Sequence, residues 1–189
     1  MPPLPRTTPT ARPELDDLTL ARAQRGDTAA FRALVGCYQD AVFGFLWRML
    51  GARGDRGLVE DLSQDVFVNV HRALPRFSTA GPARLGTWIL TIATRIALNA
   101  LRRHRPPTVP LDQRARAVAA PRTDAALALI VRDALDQLSP DHRAVLVLRE
   151  FHDLDYDEIA GVLGVEVGTV RSRLSRARAA LRDALGEGP

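Results

Sequence analysis

Lysine is absent from this sequence: all 26 basic side chains are arginine. The absence points first to GC-rich codon usage, and it also makes every cation a planar donor fork suited to phosphate and carboxylate. Cysteine is nearly absent as well. Cys37 alone excludes an internal disulfide, and with four scattered histidines no zinc-ligand spacing forms. The longest apolar run is the seven residues from Ala125 to Val131, against the roughly 18 to 20 needed to cross a bilayer. The first twenty residues hold five prolines and no apolar stretch of signal-peptide length, so a cytoplasmic location without membrane insertion is expected. No phosphate-cradling loop, nucleophile motif or pair of metal ligands occurs. The chain is therefore not expected to be an enzyme, or to carry a cofactor or metal.

What is present is globular in balance. Of 189 residues, 46% are hydrophobic and 25% charged, enough to bury a core in one or two domains. Charge is segregated along the chain. Residues 1–123 carry 18 Arg against 10 Asp+Glu, net +8; residues 124–166 carry 3 against 10, net −7; residues 167–189 carry 5 against 2, net +3. Such asymmetry suits a protein that meets nucleic acid with some segments and another partner with others.

Apolar periodicity predicts an all-α fold of two small helical domains joined by a flexible linker. Residues 1–23 read as a proline-rich disordered leader, 24–104 as a first domain, 105–123 as the linker and 124–189 as a second domain. Helices are expected over about 27–50, 57–74 and 86–104. In the second of these, Val59, Leu62, Val66, Val70 and Leu74 form one stripe, with Asp61, Gln64, Asp65 and Asn69 off it. In the third, Ile89, Ile92, Ala93, Ile96 and Ala100 form the stripe, with Thr91, Arg95 and Arg102 near the opposite side. In the second domain, Leu127, Ile130, Val131, Ala134, Leu135 and Leu138 mark a helix that ends at Ser139-Pro140, an N-cap and first-turn proline for the next.

Tyr156 to Leu174 has the pattern of two short helices joined by a tight turn. Asp155 with Glu158 forms a capping-box pair, Ala160 is small where helices must cross, Gly164 suits a left-handed helix end, and Val165, Val170 and Leu174 fill the wedge. On the second helix a buried stripe of Val170, Leu174, Ala177 and Leu181 leaves small residues and arginine outward. That surface can enter a major groove: Ser172 and Arg176 are placed to read bases, and Arg171, Arg173 and Arg178 to contact phosphate. An arginine-rich solvated hairpin is the plain alternative, and the full wedge pattern argues against it. Asp153, Asp155 and Asp157 imitate a calcium loop, but Glu158 stands where glycine is needed and Gly164 where glutamate is. No cysteine, histidine or nucleophile pattern lies near His142 or His152, so both read as surface or core residues rather than ligands or bases, and Cys37 reads as a small core residue rather than a redox sensor.

Taken together, Glu60-Asp61-Leu62-Ser63-Gln64-Asp65-Val66-Phe67, Thr87-Trp88-Ile89-Leu90, Leu101-Arg102-Arg103, Leu138-Ser139-Pro140 and the stretch from Glu158 to Arg178 resemble the extracytoplasmic-function sigma factors of bacterial RNA polymerase. The resemblance covers roughly 24–104 and 124–185, called regions 2 and 4. It implies a subunit that binds core polymerase, recognises minus-35 and minus-10 promoter elements and nucleates DNA opening. Asp61, Gln64, Asp65 and Asn69 fall where region 2 docks on the clamp helices of the largest catalytic subunit. Arg95, Arg102 and Arg103 fall where the minus-10 element is engaged. Thr169, Arg171, Ser172, Arg173, Ser175, Arg176 and Arg178 fall on the minus-35 helix. An anti-sigma factor is an expected partner, and Trp88 is expected to pack rather than to stack on a base.

The loop from Phe77 to Leu85 departs from the family pattern in lacking acidic and second aromatic residues, and Thr94-Arg95 stands where Arg-Asn is common. With aromatics at 5% of the chain, opening is expected to rely on one or two captured bases and on backbone charge. The eighteen proline- and arginine-rich residues 105–122 of the linker span at most about 60 Å, so two DNA sites two turns apart require an extended path held by a scaffold. The rival reading is a conventional helix-turn-helix regulator whose first domain dimerises or senses a ligand.

Overall fold

Asp16, Asp27, Asp55, Ser139 and Asp155 each sit in non-helical backbone just ahead of a helix, and each side chain accepts from an amide two or three residues on. These bonds satisfy first-turn donors that have no partner within the helix. The computed structural model describes residues 14–51, 54–81, 83–103 and 131–184, and every regular element among them is helical. Four helices build the first bundle: α1 (Asp17–Gln24), α2 (Thr28–Leu50), α3 (Arg56–Ala73) and α4 (Leu85–Arg103), with a short 3-10 turn at Leu74–Arg76. The second bundle comprises a helical stretch 131–136, α5, followed by α6 (Pro140–His152), α7 (Tyr156–Leu163) and α8 (Val167–Ala184). The expected linker and residues 1–13 of the expected leader lie outside the described residues.

Helices α2, α3 and α4 fall within a residue of the expected spans. The leader does not run to residue 23 as expected. Asp16 caps α1, Leu20 and Ala23 are buried against the bundle, and the Gln24 side-chain amide donates to the carbonyls of Phe77 at 2.7 Å and Leu74 at 3.2 Å. Two buried side chains in eight residues are too few for periodicity to register, and the prolines upstream masked the start.

The stripe on α3 is buried as expected at Val59, Val66, Val70 and Leu74, with Leu62 half-buried. The stripe on α4 is wider than expected. Leu90, Thr94, Ala97 and Leu101 are buried beside Ile89, Ala93 and Ala100, whereas Ile92 and Ile96 are only partly covered. The reason is packing on two sides: α2 and α3 cover one flank of α4, and α7 of the second bundle covers another. Likewise α6 buries six consecutive residues, Arg143 to Leu148, because α8 and α2 enclose it. The two bundles thus share one continuous apolar core, in which each fully buried leucine, valine or phenylalanine contributes roughly 1.5–3 kcal/mol. This direct packing was not anticipated from a chain read as two tethered units.

Candidate functional site

Three surfaces carry the chemistry. The first is the outer face of α8. Asp155 accepts from the Glu158 amide at 2.8 Å while the Glu158 carboxylate accepts from the Asp155 amide at 3.0 Å, a complete capping box that fixes the start of α7. Gly164 ends α7 at φ 65°, ψ 42°, a left-handed conformation that costs glycine little. Val170, Leu174 and Ala177 then anchor α8 inward, and Gly168, Arg171, Ser172, Ser175, Arg176 and Arg178 are exposed. Thr169 is half-buried on the flank.

The expected DNA-reading residues are not equivalent in this setting. Arg176 stands on the exposed ridge. Ser172 donates its hydroxyl to the Thr169 carbonyl at 3.0 Å, leaving its oxygen lone pairs outward. Arg171 lies 5.9 Å from the Tyr156 ring centroid. Arg173 pairs with Asp141 at 3.1 Å and Arg178 with Glu150 at 2.7 Å, so both brace α8 against α6.

The second surface is on α4. Arg95, Arg102 and Arg103 are all exposed, with Arg102 and Arg103 in the last turn. Asn99, exposed one turn beyond Arg95, extends the same face towards Arg102; its polar side chain at i+4 was the available signal, and sequence reasoning missed it. Thr94, beside Arg95, faces inward, 1% exposed, and its hydroxyl donates to the Leu90 carbonyl at 2.7 Å. Trp88 packs on Phe77 with ring centroids 5.0 Å apart.

The third surface is a groove between α2 and α3. Phe31, Val35, Phe43, Phe67 and Val68 supply its apolar lining, and Gln64 lies at its side with Glu60, Arg56 and Arg72. Val68 is 46% exposed, unusual for a large aliphatic side chain that has a bundle core nearby. Asp61, Asp65 and Asn69 follow one another at i, i+4, i+8 on exposed α3, next to the groove, and the Asn69 amide donates to the Asp65 carbonyl at 2.8 Å. The aromatic side of this groove escaped sequence reasoning, although Phe31, Val35 and Phe43 were visible as a second apolar face on α2.

The remaining candidates resolve into structure. Asp153 caps α6 in a left-handed conformation and Asp155 caps α7, so the calcium-like spacing serves helix ends. The His152 ring packs edge-on against Phe45 at 5.7 Å. Cys37 is half-buried against the core, and desolvation raises its thiol pKa, which disfavours the reactive thiolate.

Family models cover these surfaces: sigma-70 region 2 over residues 34–106, taking in most of the groove and α4, and sigma-70 region 4 over residues 128–181, spanning the helix-turn-helix. The RNA polymerase sigma-H factor of Pseudomonas aeruginosa is 35% identical over 187 residues, covering 91% of this chain and 94% of that relative. The chain belongs to the sigma-70 family. Within it, the extracytoplasmic-function sigma-E factor of Escherichia coli is 34% identical over 185 residues, covering 88% of this chain and 92% of the relative. Among solved structures, CnrH in complex with the cytosolic domain of CnrY is 28% identical with a TM-score of 0.67, covering 91% of this sigma factor and 97% of CnrH. No helix among the described residues is long and apolar enough to cross a membrane.

Proposed function

We propose that this sigma factor docks on core RNA polymerase through the α2–α3 groove and the line Asp61, Asp65 and Asn69, with Gln64 at the groove's side. In that pairing, arginines of a clamp helix meet the carboxylates while apolar side chains enter beside Phe67 and Val68. Region 4 reads the minus-35 element with Arg176 and Ser172 on bases, and Thr169, Arg171 and Ser175 close to the backbone. Arg173 and Arg178 turn from α6 to phosphate or hold α8 at its angle. Arg95, Arg102 and Arg103, joined by Asn99, track the minus-10 strand, and one or two captured bases start its opening. The sigma factor contributes no covalent chemistry of its own, works in the cytoplasm, and is held in check by an anti-sigma factor.

The observation that carries this reading is the exposed row of Ser172, Ser175 and Arg176 on a helix whose orientation is fixed by a capping box and a left-handed glycine. Small residues flanking one long guanidinium allow the close approach that base reading in a major groove requires. Promoter affinity measured with and without core polymerase tests it. The expected result is weak binding by the chain alone and tight, sequence-selective binding by the complex. Equal and tight binding by the free chain would favour a conventional helix-turn-helix regulator.

A further inference from the structure

Helix α1 covers the first bundle's core and also holds the origin of the loop that leads into α4. The half-buried Gln24 side chain reaches 50 and 53 residues along the chain, where its amide nitrogen donates to the Leu74 carbonyl at 3.2 Å and to the Phe77 carbonyl at 2.7 Å. A primary amide has two N–H groups, so both are spent on the two ends of the 3-10 turn. The Leu74 carbonyl has a second donor, the Phe77 amide at 3.0 Å. The Phe77 carbonyl is held just before the chain turns outward, where the Gly81 amide closes on the Ser78 carbonyl at 3.1 Å. At the loop's far end Arg84 pairs with Glu14 at 3.2 Å, but each side chain is 68% exposed, so that pair holds loosely.

The clamp fixes where the loop stands relative to the arginine face of α4. The Phe77 ring packs on Trp88, and Trp88 precedes Arg95, Asn99 and Arg102 by 7, 11 and 14 residues, a spacing that keeps all four on one side of the helix. Trp88 lies about 10 Å along the axis from Arg95, so a strand tracked by those side chains arrives at the loop. Ser78, Thr79, Ala80 and Gly81 are all exposed. Nothing they bury sets the loop's direction, which is inherited from its anchored origin. Their small side chains leave room for a base to come against the backbone once it leaves the duplex.

We propose that Gln24 is a positioning residue for promoter opening: its amide clamps the origin of the 77–81 loop so that the loop meets the first base released at the Trp88 end of α4. The inference rests on the minus-10 role proposed above for Arg95, Asn99 and Arg102. Gln24 itself stays clear of DNA and acts through the loop. Removing both donors takes this partner from the Phe77 carbonyl and lets the turn relax, and two neutral hydrogen bonds correspond to on the order of a tenfold change in opening rate.

The test uses holoenzyme assembled from core polymerase and the full chain, on a promoter mapped from its own transcripts. Permanganate oxidation of unpaired thymines reads the rate of opening on the duplex. The same promoter with a mismatched, already open minus-10 segment reads initiation without that step. Gln24→Met and Gln24→Glu keep the length and helix propensity of glutamine while removing both donors. Each is expected to slow opening on the duplex about tenfold, to initiate within about twofold of the parent on the open template, and to keep the parent's melting temperature and core-polymerase affinity. Gln24→Lys, which regains donors, should recover most of the rate. Parent-like opening in both donorless variants, or losses that are equal on duplex and open templates, would overturn the clamp. Arg102→Ala separates the clamp from the role it serves. If Arg102→Ala opens the promoter as fast as the parent, the minus-10 face fails and the clamp with it; slowed opening there beside parent-like Gln24 variants removes the clamp alone.

Discussion

The groove proposed for polymerase in the first bundle is lined from the edge of that bundle's own core, whereas the ridge proposed for DNA in the second stands clear of its core. Phe31, Phe43 and Phe67 line the groove and also pack against buried residues, so its shape depends on how the bundle is filled. Arg176, Ser172 and Ser175 on α8 are exposed, and the residues holding that helix, Val170, Leu174 and Ala177, lie on its other side. Function and stability should therefore be coupled in region 2 and separable in region 4.

The largest effect should come from the shared core. Leu46→Ala, at a position with 0% exposure, should lower stability by about 2–5 kcal/mol in urea unfolding and reduce polymerase association as the groove loses definition. A substitution that unfolds the chain without harming association by the folded fraction would break the coupling expected of region 2. Next comes the ridge. Arg176→Ala should weaken promoter use by on the order of 1–3 kcal/mol with an unchanged melting temperature; a matched loss of stability would erase the contrast between the bundles.

Smaller effects sharpen the comparison. Asp155→Ala removes the capping box that starts α7 and should cost about 1 kcal/mol. Gly164→Ala at φ 65° should destabilise by about 1 kcal/mol. Both are readable by thermal melts, and both should impair promoter binding only through the orientation of α8. The smallest effect is a pH dependence confined to the first bundle. The Ala30 amide and then the Arg22 side chain hold the Asp27 carboxyl below its ordinary value. Its contribution is complete above the unfolded-state value and is lost as pH falls through the lower folded value. Hydrogen-exchange protection at the start of α2, taken relative to the intrinsic exchange rate at each pH, should therefore fall below about pH 4, and Asp27→Asn, which still caps, should remove that fall.

Much of this architecture was legible in the residues. The spans of α2, α3 and α4 followed from apolar spacing, and Ser139, Asp155, Glu158 and Gly164 announced helix ends because capping is local chemistry. What stayed hidden was tertiary. Arg48, Arg132 and Arg143 read as ordinary basic positions, since nothing within a few residues of Arg143 reveals that its guanidinium will meet the Met49 carbonyl. Nothing local distinguished Thr94, which departs from the family pattern beside exposed Arg95, as a residue buried on the wide face of α4. Arg173 and Arg178 looked like phosphate contacts, yet their partners Asp141 and Glu150 lie about thirty residues upstream, beyond the reach of helical periodicity. Leu20 and Ala23 were lost behind proline composition because α1 is only eight residues long.

The most direct measurement is run-off transcription by purified core polymerase on genomic promoter templates, with the full chain as the sole specificity subunit. Transcripts of defined length should require the chain and should fall roughly 10- to 100-fold with Arg176→Ala at limiting template. Blank lanes on every template, or initiation that is the same without the chain, would contradict the account.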